Sequence, residues 1–88
     1  MIIWTDYVEY RMRLRGFNRD LLEVIIRFST ERYFDTETKR YIVIGRHQNN
    51  LVMIAYEHDG VDITPVTVHA TTRQQIRFRL RTGRLINE

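Results

Sequence analysis

Apolar residues recur along this chain in two rhythms, and the change from one to the other divides it. Between Asp6 and Thr30 they fall three or four apart: Tyr7, Tyr10 and Leu14 form one stripe, and Leu22, Ile25 and Ile26 form another that Leu21, Val24 and Phe28 widen. Thr5 and Asp6 offer an N-cap to the first segment, with Glu9 available for its opening turn, and Gly16 is placed to end it. Asn18 can cap the second, which runs out near Ser29 and Thr30. The pattern predicts two helices joined as a hairpin through the link "GFN".

From residue 32 onward the rhythm changes. "RYF", "RYIVIG", "LVMIAYE" and "VDITPVTVHA" are rich in Val, Ile, Tyr and Phe, and "DTET", "HQNN" and "HDG" between them are good turn sequences. Four consecutive strands joined by hairpins make an antiparallel meander. Asp59 and Gly60 read as a type I′ turn, which needs positive φ at both central residues. Pro65 has no N–H to give a ladder, so the fourth strand lies at an edge or is bulged there.

The closing "TTRQQIRFRLRTG" carries both rhythms. Ile76, Phe78 and Leu80 alternate as in a strand, but Thr71 or Thr72 as N-cap and Gly83 as terminator favour a helix. As a helix it docks Ile76 and Leu80 on the sheet and runs Arg73, Arg77, Arg81 and Arg84 along the neighbouring side. The expectation is therefore a single α+β domain over residues 1–88: a helical hairpin, a four-stranded antiparallel sheet and a C-terminal helix.

Charge sharpens this picture. The net charge is only +3, but the basic residues are thirteen arginines and one lysine, Lys39. Arginine's planar fork grips phosphate or carboxylate at two points, so the bias points to geometric recognition of anions. The charge is also local. From Ile63 onward there are five arginines and one acid, Glu88, whereas acids outnumber bases from Glu31 to Asp62. "YRMRLRGF" and "IRFRLRTGRL" both interleave arginine with large apolar residues, and two such faces meeting at one groove would bind a polyanion. There is no cysteine, which removes disulfides and thiolate metal sites and suits a reducing compartment, so the cytoplasm is the expected location. No apolar run approaches the roughly 20 residues that span a bilayer. The histidines are scattered and Asp59 and Asp62 belong to a turn, so neither a metal site nor a cofactor is expected.

The order of elements resembles the RelE/ParE-like toxin superfamily, closest to its BrnT-like branch and related domains. "YVEYRMRLRGFNRDLLEVI" resembles the opening helical hairpin of those domains, with Arg11 and Arg15 a helical turn apart before a glycine. "YIVIGRHQNNLVMIAYE" resembles the central hairpin, and "ITPVTVHATTRQQ" the last strand with its link to the closing helix. The likeness covers nearly the whole chain as pattern and spacing. It implies a metal-independent RNA-cleaving toxin neutralised by a co-encoded antitoxin protein. ParE-like members act on a protein target instead. Related domains often open the first helix with histidine where this chain has Tyr7, and RelE-type nucleases use lysines that Lys39 alone cannot match.

Cleaving RNA without a metal needs a base for the 2′-OH, donors for charge building on the phosphate, and an acid for the leaving oxygen. His69, at a strand end just before a helix N-terminus, suits the first or last role, with Arg73 on the phosphate. Arg11 and Tyr56 complete the catalytic candidates, Tyr56 either through its hydroxyl or by stacking a base. Arg15, Arg46, His47, Arg77, Arg81 and Arg84 are the candidate nucleic-acid contacts. Three functions stay open: an endoribonuclease, a binding module of the same shape without catalysis, and an inhibitor of a protein target.

Overall fold

A computed structural model describes residues 1–88 and resolves the order of elements as two helices, four strands, a helix and a fifth strand. Helix α1 (Asp6–Leu14) begins where the Thr5 side chain accepts from the Val8 N–H, and α2 (Arg19–Phe28) where Asn18 accepts from Leu21 N–H. Gly16, at φ 75°, supplies the left-handed turn between them. Strands β1 (Arg32–Asp35), β2 (Arg40–His47), β3 (Asn50–His58) and β4 (Ile63–Thr71) form the expected meander. Thr72 caps α3 (Arg73–Arg81) through the Gln75 N–H, so the helical alternative prevails at the C-terminus.

The sheet has five strands rather than four. Leu85–Asn87 form β5, antiparallel to β1, in the order β4-β3-β2-β1-β5, so α3 carries the chain from one edge of the sheet to the other. The closing "RLINE" is too short to show a period, yet Leu85 is fully buried. What fixes β5 is a polar clasp. Arg84 reaches the carboxylate of buried Asp35 at 3.3 Å, and the Thr36 N–H and hydroxyl donate to the Arg84 carbonyl. The Asp35 carboxylate also accepts from the Glu37 and Thr38 N–H groups, closing the β1–β2 turn.

Two apolar layers cover opposite faces of the sheet. Val43, Val52, Ile54 and Val68 meet Val8 and Met12 of α1 and Leu22, Ile25 and Ile26 of α2. Ile42, Ile44, Leu51 and Met53 meet Ile76 of α3 and Leu85 of β5. Period two along each strand alternates these memberships, as a sheet buried on both faces requires. At Gly45 a Cβ would sit 2.6 Å from a γ-carbon of Ile25, so the absent side chain lets α2 lie against β2.

Three local expectations are corrected. Tyr7, Tyr10 and Leu14 are exposed, and α1 buries Val8 and Met12 instead, because a helix over the edge strand touches the sheet along a narrow line. Leu21, Val24 and Phe28 likewise face outward and do not widen the buried side of α2. The turn at Asp59 is not type I′. Gly60 alone has positive φ there, while the Asp59 side chain accepts from the Val61 and Asp62 N–H groups and forms a longer loop.

The edge strand β4 positions the candidate site. Ala55 pairs with Thr67 and Tyr56 with Pro65, leaving Val66 as an extra residue, so Pro65 is both at an edge and beside a bulge. Residues 1–3 shield the start of this edge, with Ile3 N–H donating to Ile63 and Ile63 N–H to Met1. Beyond the bulge, from Val66 to Ala70, the outer side of β4 pairs with no strand.

Candidate phosphate site at the free edge of the sheet

The open part of β4 is where the two arginine-rich stretches converge. Arg11 of α1 and Arg15, which caps the C-terminal end of that helix, lie one turn apart and share the side turned to β4. The Arg15 guanidinium donates to the Val68 carbonyl at 2.7 Å and to His69 Nδ1 at 3.0 Å. Arg11 donates to the Tyr7 hydroxyl at 2.8 Å, with its guanidinium carbon 5.7 Å from the centre of that ring. From the other face of the sheet comes Arg79. It rests on the Met53 sulfur at 3.4 Å, and Met53 is the cross-strand partner of His69. His69 thus stands at the edge with α1 cations on one side and an α3 cation on the other.

A cavity of about 50 Å³ opens between α1 and β4, lined by Tyr7, Arg11, Arg15 and His69 together with Met12 and the Val66–Val68 stretch. That is several times the space one water needs, and enough for a tetrahedral oxyanion. Its charge is uncompensated. The arginine ion pairs engage Arg13 and Arg19 with Glu9, Arg73 with Glu31, and Arg84 with Asp35 and Glu37, leaving Arg11, Arg15 and Arg79 without a carboxylate.

These surroundings set the state of the imidazole. Partial burial of the ring, then the charges of Arg15, Arg11 and Arg79, hold the His69 pKa below its ordinary value. His69 is neutral at physiological pH. A guanidinium can only donate, so Nδ1 must accept and the ring proton sits on Nε2. The site therefore holds a neutral base whose lone pair is occupied by Arg15, the further guanidinium of Arg11, and a phenol whose own proton is free to be donated, with Arg79 nearby on Met53.

Other sequence candidates lie elsewhere. Arg73 does not join His69: it pairs with Glu31 at 2.6 Å, and that bond first of all holds the Glu31 carboxyl below its usual range. Arg73 and Arg79 flank the line of buried Ile76 and half-buried Leu80 on opposite sides of α3, so only one of them can turn toward β4. Tyr56 is a core residue. Its ring stacks on Tyr41 and its hydroxyl accepts from Arg32 at 3.0 Å, while burial pushes its pKa up in spite of that cation. His47 is also buried, with Phe17 packed edge-on against it and its Nε2 accepting the Asn18 N–H at 2.8 Å, which joins β2 to the start of α2. Arg84 belongs to the β5 clasp, and Arg46, Arg77 and Arg81 are exposed without carboxylate partners.

Two residues of the site were not among the candidates. Tyr7 reads in the sequence as part of a core stripe, its one signal being that related domains often carry histidine at that place, and no local signal marks Arg79. No helix of the chain is long and apolar enough to cross a membrane. No family model matches the chain, and neither the curated proteins nor the solved structures offer a significant match.

Proposed function

We propose that the chain is a RelE/ParE-like toxin that cleaves RNA without a metal, binding a backbone phosphate at the free edge of β4. The carrying observation is the meeting of Arg11, Arg15 and Arg79, all lacking carboxylate partners, around a neutral His69. A phosphodiester presents two non-bridging oxygens that suit such paired forks. As the phosphate docks, it draws the Arg15 guanidinium off Nδ1 and so frees the lone pair beside the ribose. His69 then takes the 2′-OH proton, the 2′-oxygen attacks phosphorus, and the P–O5′ bond breaks to leave a 2′,3′-cyclic phosphate. Arg11, Arg15 and Arg79 hold the charge gathering on the phosphoryl oxygens. Tyr7, its oxygen already accepting from Arg11, donates its proton to the departing O5′. The partners of this reading are RNA and a co-encoded antitoxin protein.

One observation favours a second reading. With Arg15 on Nδ1, His69 presents only the Nε2–H donor, which suits a module that binds the backbone and does not cut it. Incubating purified protein with end-labelled RNA, in the presence of a chelator, separates the two. The nuclease reading predicts cyclic-phosphate and 5′-OH ends that disappear when the ribose is 2′-deoxy and in His69→Ala. Tight binding with intact RNA would replace it by the binding module.

A further inference from the structure

Helix α3 has no acidic residue along its whole length, and its outer face interleaves cations with an aromatic ring. Phe78 is 56% exposed although it sits in the middle of the helix, far from any need to cover the core. The Arg81 guanidinium carbon lies 5.8 Å from its ring centre. Gln74 and Thr82 flank the ring, and Arg79 lines the same shallow groove. Arg79 thus lines the groove beside Phe78 and also rests on Met53, the cross-strand partner of His69.

An ordinary solvated helix face mixes charge signs. Here Arg77, Arg79 and Arg81 have no carboxylate partner, so the face complements a polyanion. An aromatic ring between arginines is what an unpaired base stacks on, since every base has a π-face, and an adjacent amide can read its edge.

We infer that Phe78, flanked by Arg81 and Gln74, is a stacking subsite for an unpaired nucleobase of the strand whose phosphate lies at His69, with Arg79 guiding the backbone between them. This rests on the proposed reading of the β4 edge as an RNA phosphate site. It adds a requirement for single-stranded substrate, because a paired base cannot offer its face.

The test uses the full chain and a 2′-O-methyl RNA oligonucleotide, which cannot be cleaved by 2′-OH attack, alongside the same backbone with internal abasic positions. Binding is read by fluorescence anisotropy. Phe78→Ala should weaken binding of the base-bearing strand roughly tenfold, as stacked bases generally do, and leave the abasic strand unchanged, while Phe78→Trp keeps full affinity. Equal effects of Phe78→Ala on both strands, or no effect on either, would overturn the subsite. So would poly-glutamate competing as well as RNA in a manner insensitive to Phe78. The Arg11→Gln/Arg15→Gln variant distinguishes the two levels: weakened binding there with a silent Phe78→Ala overturns the subsite alone. A wild-type chain that binds neither strand overturns both.

Discussion

Arg15 and His69, 54 residues apart in the chain, meet at 3.0 Å across the free edge of β4. The same guanidinium covers the Val68 carbonyl, an otherwise unpaired acceptor on that edge, so one side chain both blunts the strand and fixes the imidazole tautomer. The site is thus built from an edge that the fold leaves open. Arg15→Gln should raise the His69 pKa toward 6.5 without reaching it, because burial, Arg11 and Arg79 remain. Histidine NMR signals followed through a pH titration measure this, and an unchanged pKa would mean Arg15 does not act on the ring.

The same shift makes a prediction for stability. Above pH 6.5 His69 is neutral in both folded and unfolded chains and contributes nothing. As pH falls through 6.5 the unfolded chain takes up the proton first, so stability declines until the folded imidazole is protonated as well. Wild type should lose more stability than His69→Gln over that interval in urea unfolding. Equal losses would contradict the lowered pKa.

Asp35 works in the opposite direction at lower pH. Burial pushes its carboxyl up, but the Thr38 and Glu37 N–H groups and Arg84 together outweigh this and bring it below its ordinary 3.8. Its stabilisation is complete above 3.8 and is lost as pH falls from there through the folded value. Asp35→Ala should cost about 2 kcal/mol at neutral pH by leaving the turn N–H groups and Arg84 without their acceptor. Asp35→Asn should cost less and remove the acid-dependent part. Thermal melts across pH values check both.

Gly45→Ala should destabilise by about 1–3 kcal/mol, the usual range for overpacking. The added methyl meets Ile25, whose branched side chain is held in the core. Shortening that neighbour should relieve the clash, so Gly45→Ala/Ile25→Ala is predicted to cost less than the sum of the single changes in a double-mutant cycle.

His47→Ala should destabilise by about 2 kcal/mol, through the lost acceptor for Asn18 N–H and the lost packing on Phe17. RNA affinity of the folded variant should stay at the wild-type level. A variant of normal stability with weakened RNA binding would return His47 to the nucleic-acid contacts.

What could be read from the sequence was mostly local. Thr5, Asn18 and Thr72 announce helix starts because capping depends on three or four consecutive residues, and the turn residues mark the meander for the same reason. His69 and the Arg11/Arg15 pair were also legible, since an i, i+4 spacing places two forks on one side of a helix. The partner of His69 was not. Choosing Arg79 over Arg73 requires knowing which flank of α3 faces β4, and that follows from the crossover to β5. β5 itself escaped because three residues carry no period, and their hold on β1 depends on Arg84 meeting Asp35 across 49 residues. Tyr7 escaped because a core stripe and an exposed one share the same spacing.

A sulfate titration of the intact protein, followed through the His69 ring nitrogens, probes the phosphate site itself, with sulfate as a dianion of constant charge across the pH range. Sulfate that draws Arg15 away and offsets the cations should raise the His69 pKa, bind more tightly as pH falls, and lose this coupling in Arg11→Gln/Arg15→Gln. A His69 pKa and tautomer that stay unchanged while sulfate reaches saturation, or that do not respond to sulfate at all, would contradict a phosphate site at the edge of β4.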